Sequence, residues 1–180
     1  MIGRQVALVR GINVGRAKRV AMADLRALFE SLGYRDVKTL LNSGNVVFTV
    51  PGTGRTNPAA RIEKAMAERL GVSARVTVIG AKEIAAAVAE NPLLNVAGDP
   101  SRLLVTVLND PADRTRLEPL AQQDWAPDAL AVGRRVAYLW CATGILDSRL
   151  AAAVNRALGD RATARNWATM LKLEALVEAG

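Results

Sequence analysis

The chain reads as an α+β protein made of two similar halves, and three observations carry that reading. A strand–helix–strand–strand–helix–strand order of hydrophobic periodicities occurs twice along the 180 residues. A stretch rich in Asn, Pro and Gly, residues 91–101, separates the two occurrences. Half of the chain is apolar, 51%, which supplies a buried core and excludes a disordered polymer.

In the first half, residues 4–10 (Arg-Gln-Val-Ala-Leu-Val-Arg) have little polar interruption and read as a mostly buried strand. An eleven-residue loop follows, Gly11 to Ala21. Met22, Leu25, Leu28, Phe29 and Leu32 then recur at helical spacing, and Gly33 supplies the stop. Val37 to Leu41 and Val46 to Val50 are strands around the loop Asn42-Ser43-Gly44-Asn45. After the breaker Pro51-Gly52-Thr53-Gly54-Arg55, Asn57-Pro58 is a helix start. Ile62, Ala65, Met66 and Leu70 give that helix an apolar stripe and Gly71 ends it. Ala74 to Ile79 is the next strand, and Ala81 to Glu90 a short helix that Asn91-Pro92 stops.

The second half repeats the plan. Arg102 to Leu108 is a strand, and Asp110-Pro111 opens a helix with Leu117, Leu120 and Ala121 inward. Asp128 to Val132 and Arg135 to Cys141 are strands joined through Gly133-Arg134 as a two-residue turn. Leu146, Leu150, Val154 and Leu158 line a helix closed by Gly159. A short strand over 162–165 and a final amphipathic helix over 167–177 complete the chain. Each half therefore predicts a four-stranded antiparallel sheet with two helices on one face, the ferredoxin-like plan. The expected organisation is a basic N-terminal subdomain over 1–90, a linker over 91–101, and a C-terminal subdomain over 102–180 with a terminal helix.

Charge and rare residues bound the chemistry. The formal net charge is +7. Residues 1–90 hold fourteen Lys and Arg against seven Asp and Glu, whereas residues 91–180 hold ten of each, so the excess lies in the first half. Arg4, Arg10, Arg16, Lys18 and Arg19 all precede the first acidic residue, Asp24. Such a local field attracts phosphate-containing ligands or a nucleic-acid backbone; genome-wide Arg and Ala usage is the plainer account. The chain has no histidine, which removes the commonest general base, every Ser-His or Cys-His nucleophile pair, and any Cys/His zinc site. Its one cysteine, Cys141, fits a reducing compartment and reads as inert packing. No apolar run approaches the roughly 18 residues a membrane helix needs, and no signal-peptide pattern opens the chain. A cytoplasmic monomer without cofactor or metal, and without membrane contact, is expected.

The halves differ most after their first strand. Two residues, Asn109-Asp110, suffice there in the second half, against eleven in the first. The long loop carries two glycines, Arg16, Lys18 and Arg19, and leads into a helix N-terminus. Its Gly-x-x-x-Gly spacing is neither a Walker loop nor a dinucleotide fingerprint. Ser43 is a nucleophile only if Lys18 serves as its base. The loop residues Gly52 to Thr56 read as an ordinary crossover, and Asp110, Asp113 and Asp128 as cap and loop residues rather than a magnesium site. Arg165-Asn166-Trp167 opens the last helix, with Asn166 as its cap. The aromatic residues are too scattered for an RNA-stacking sheet.

Leu8-Val9-Arg10-Gly11-Ile12-Asn13-Val14-Gly15, Met22-x-x-Leu25, Ser43-Gly44-Asn45-Val46-Val47-Phe48 and Thr163-x-Arg165-Asn166-Trp167-x-Thr169 together resemble the domain-of-unknown-function family 1697. The resemblance spans nearly the whole chain, implies two tandem ferredoxin-like subdomains, and brings no established activity, cofactor or catalytic residue. Members often continue after Val-Gly with a further glycine and a Lys-Asn pair; Arg16-Ala17-Lys18-Arg19 stands here instead, as basic but less flexible.

The function expected first is binding of an anionic ligand: a nucleotide, a phosphorylated metabolite or a nucleic-acid backbone. Arg10, Arg16, Lys18 and Arg19 would supply charge, and Asn13, Ser43 and Asn45 orienting hydrogen bonds. Arg165 and Asn166 are expected to join that site. The alternatives are an enzyme on a phosphorylated or carboxylated small molecule, with Arg10 or Arg165 stabilising developing charge, and a scaffold whose polar motifs only lock the halves.

Overall fold

The computed structural model describes residues 3–52 and 57–180. Among them, eight strands form two separate four-stranded antiparallel sheets, accompanied by six α-helices. The chain divides into two compact units, residues 1–82 with 175–180, and residues 83–174.

In the first unit, β1 (Arg4–Val9), β2 (Arg35–Leu40), β3 (Asn45–Thr49) and β4 (Val76–Gly80) stand in the order β2-β3-β1-β4. The helices are α1 (Met22–Ser31) and α2 (Pro58–Ala65), the latter extended by a π-type turn, Met66–Leu70. Asn57 caps α2 by accepting from the Ala60 N–H, and Gly71 ends the π-type turn at φ 65°. Ala7, Val9, Val46 and Phe48 project towards Leu25, Phe29, Ile62 and Met66 to form one core. The alternate residues Val6, Leu8 and Val47 are also fully buried, which explains the near-continuous apolar run of β1. A bulge in β2 between Arg35 and Lys38 is turned by Asp36 at φ 51°.

In the second unit, β5 (Leu103–Leu108), β6 (Ala129–Val132), β7 (Val136–Trp140) and β8 (Ala162–Asn166) stand in the order β6-β7-β5-β8. Leu108, Leu117, Leu139, Leu150, Val154 and Leu158 centre its core. α3 (Ala81–Ala89) belongs almost wholly to this unit. The Tyr138 hydroxyl of β7 donates to the Ala87 carbonyl at 2.6 Å, and Arg135 pairs with Glu83 at 2.7 Å. The 83–90 segment thus groups with the second unit. At the other end, Arg4 donates to the Leu176 carbonyl, and 175–180 group with the first unit.

Local differences from the sequence reading have local causes. The segment after Asp110 is a 3-10 turn, Pro111–Leu117, followed by the four-residue α4 (Glu118–Ala121), so Ala121 is exposed rather than inward. Gly133 N–H donates to the Val136 carbonyl, which makes Arg134-Arg135 the turn in place of Gly133-Arg134. α5 (Arg149–Leu158) begins after Ser148, whose hydroxyl accepts from Ala151 N–H, and leaves Leu146 outside and fully exposed. α6 (Trp167–Glu178) is capped by Asn166, which accepts from Thr169 N–H at 2.9 Å, and Trp167 is buried. No helix of the described residues is long and apolar enough to cross a membrane.

Candidate functional site

The loop between β1 and α1 is folded rather than extended. Val14 and Ala17 form an antiparallel bridge around Gly15-Arg16, with Gly15 at φ 62°. Asn13 N–H donates to the Lys18 carbonyl at 3.0 Å and continues this small hairpin. Its neck is held by one side chain. The Asn13 amide nitrogen donates to the Val20 carbonyl (2.8 Å) and the Asn42 carbonyl (2.7 Å), while its oxygen accepts from Val20 N–H (2.8 Å). Both amide hydrogens and one acceptor site are thereby engaged within the chain. Asn13 adopts φ 55°, a left-handed conformation that asparagine tolerates better than most residues. Ile12 and Val20 flank the neck and sink into the core. Beyond it, Arg16, Lys18 and Arg19 are exposed at the tip, and Val14 is 71% exposed.

Strand register brings Arg10 and the Ser43–Asn45 hairpin loop to this end of the sheet. Leu8 pairs with Asn45, and Val9 N–H donates to the Gly44 carbonyl at 2.9 Å. Asn45 is fully buried, and its amide nitrogen donates to Leu40 O and Ser43 Oγ, both at 2.9 Å, so it holds the hairpin loop closed. Ser43 itself is exposed. On the other side of β1, Arg10 N–H donates to the Arg75 carbonyl at 2.9 Å. Arg75 escapes sequence reasoning because only the β1–β4 register places it beside Arg10. Its guanidinium lies 3.7 Å from Glu63, whose second oxygen accepts from Val76 N–H.

Gly44 is where the hairpin and the loop touch. At φ 89°, a Cβ there would come within 2.8 Å of Ile12 Cδ1 and 2.9 Å of Val9 Cβ. The glycine is required for both its backbone angle and its lack of a side chain.

Arg165 and Asn166 lie in the second unit, on β8 opposite Val105 and Leu104. Arg165 donates to the Ala164 carbonyl, and desolvation pushes its guanidinium down to about 10. The Asn166 oxygen serves as the helix cap described above. Asp110 caps its 3-10 turn through Ala112 N–H, Asp113 lies 3.0 Å from Arg116, and Asp128 accepts from Ala142 N–H and Ser148 Oγ. Cys141 is fully buried, and burial pushes its thiol above the usual range. Of the crossover Gly52 to Thr56, residues 53–56 lie outside the described residues.

These features define a mixed α/β protein with two four-stranded antiparallel sheets and a basic, internally braced loop at one sheet end. The chain belongs to the family described as "Protein of unknown function (DUF1697)", whose model matches residues 2–138. Among solved structures it is similar to the conserved bacterial protein SP0830 from Streptococcus pneumoniae, with a TM-score of 0.70 at 21% identity. That similarity covers 98% of this chain and 99% of the other, and it speaks to the fold alone. No curated protein matches the chain.

Proposed function

We propose that this protein binds a phosphate-bearing anion through the Arg10–Arg19 loop, as a cytoplasmic monomer. The observation that carries the reading is the bracing of the loop by Asn13. A charged loop whose neck is held by three hydrogen bonds and two buried anchors presents Arg16, Lys18 and Arg19 from a braced backbone, which lowers the backbone entropy lost on binding. Arg10 and Arg75 add basic residues at the same sheet end, and Ser43 offers an exposed hydroxyl. Asn13 and Asn45 act here as framework, since their amide hydrogens are already engaged. The family resemblance and the repeated strand orders β2-β3-β1-β4 and β6-β7-β5-β8 further support reading each unit as a ferredoxin-like fold.

The test is a thermal-shift screen of nucleotides, phosphorylated metabolites and RNA. A ligand at ~100 times its dissociation constant adds ~2.7 kcal/mol, which for a chain of this size raises the melting temperature by about 5–10 °C. Replacing Arg16, Lys18 and Arg19 together by Gln should abolish the shift. A salt series separates ligands, because a nucleic-acid backbone loses affinity steeply with salt. A screen without a responding anion, or a triple variant that binds as tightly as the parent, defeats the proposal.

A further inference from the structure

The second unit carries a groove of about 300 Å³ between α3 and the β6–β7 hairpin, apart from the basic loop of the first unit. Its floor is apolar: Ala87, Val136 and Tyr138 are buried. The Tyr138 phenol is turned to the helix and committed to the Ala87 carbonyl. Two acidic residues of the α3 side, Glu83 and Glu90, and two basic residues of the turn, Arg134 and Arg135, also line it. Glu83 and Arg135 neutralise each other at 2.7 Å, and Arg135 is further held by the Leu108 carbonyl. Glu90 and Arg134 are exposed and have no ion-pair partner among the described residues. The charge of Glu90 is felt at the floor. Burial, and after it the Glu90 carboxylate, push the Tyr138 phenol up to about 12.

We propose that this groove binds a small zwitterion with an apolar body, the chemistry of a free amino acid. The body lies on Ala87, Val136 and Ala131, the ammonium group faces Glu90, and the carboxylate faces Arg134. Charge complementarity selects this class. A simple anion meets an uncompensated Glu90, a simple cation an uncompensated Arg134, and a polyphosphate is repelled by Glu90. The volume suits a small molecule resting on apolar side chains with a few polar groups to orient it.

Calorimetric titration tests this with four probes: L-phenylalanine, L-leucine, 3-phenylpropionate and 2-phenylethylamine. Both amino acids should saturate the protein, and each singly charged analogue should bind roughly threefold to fivefold more weakly than phenylalanine, the worth of one exposed ion pair. Glu90→Gln should weaken phenylalanine and 2-phenylethylamine but not 3-phenylpropionate, and Arg134→Gln the reverse. Ala86 is exposed on the groove wall, so Ala86→Trp should block all four probes, with Ala86→Leu as a milder second variant. Circular dichroism melts verify that each variant is folded. Neither amino acid saturating by ~20 mM, a limit near 2.3 kcal/mol of binding, overturns the proposal. Unchanged affinity in both charge variants, or in both Ala86 variants, also overturns it. The loop triple variant of the first unit should bind the amino acids as the parent does.

Discussion

Gly44→Ala separates backbone strain from crowding where the hairpin meets the basic loop. The left-handed angle, φ 89°, costs an alanine roughly 1–2 kcal/mol. The new methyl group would also lie 2.8 and 3.1 Å from Ile12 and 2.9 Å from Val9, all fully or almost fully buried side chains with nowhere to retreat. Overpacking of that kind costs about 1–3 kcal/mol. Alanine offsets part of this by restricting the unfolded chain, by roughly 0.4–1 kcal/mol. The expected net loss is about 3 kcal/mol, a fall of roughly 6–12 °C in melting temperature for a chain of this length. Gly15→Ala is the control, because φ is 62° there and no heavy atom lies within 4 Å of the added Cβ. It should cost only about 1 kcal/mol, the strain less the unfolded-state gain. Calorimetric melting reads both. Adding Ile12→Val removes the nearest clashing carbon, so the double variant should be less destabilised than the sum of the singles. Equal losses at positions 44 and 15, or strict additivity with Ile12→Val, would refute the close approach of loop and hairpin.

Asn13→Ala removes three hydrogen bonds and leaves alanine at φ 55°, so about 2–4 kcal/mol should be lost; tryptic cleavage after Arg16, Lys18 or Arg19 should accelerate, and an unchanged rate contradicts the bracing. Both tyrosines of the chain have raised pKa values through burial, Tyr138 to about 12. The contribution of Tyr138 to stability is complete below pH 10, where the unfolded phenol begins to ionise, and is lost towards pH 12. A tyrosinate absorbance titration should therefore show Tyr138 almost un-ionised at pH 10 in the native protein and about half ionised at that pH on unfolding. Tyr138→Phe should remove that part of the alkaline loss while costing about 1 kcal/mol at neutral pH for the bond to Ala87. Cys141 should react with thiol reagents only as fast as the protein unfolds; rapid native labelling would contradict its burial.

The elements themselves follow from periodicity and punctuation. The cap at Asn57, the stop at Gly71 and the restart after residue 101 are all local signals, and the structure uses each of them. Errors arise where a side chain decides between neighbouring options. Leu146 fits the helical spacing of Leu150 and Val154, yet the Ser148 cap starts the helix after it. For the loop, residue type was informative and role was not. Asn13 is an apt left-handed residue, but its amide meets the Asn42 carbonyl, 29 positions away, through folding that no local pattern encodes. Arg75 stayed hidden for the same reason.

Because the Asn13 amide closes the neck between residues 13 and 20, the segment beyond it is insulated from the sheet. Lengthening a loop that is already closed costs little, roughly 0.6 kcal/mol for each doubling of its length. The turn at Gly15-Arg16 is therefore a natural graft point: a peptide spliced there hangs outside the hydrogen-bonded collar, and β1, β3 and the core below keep their register. Descendants of this chain have the same freedom, able to vary the tip in length and charge without renegotiating the fold.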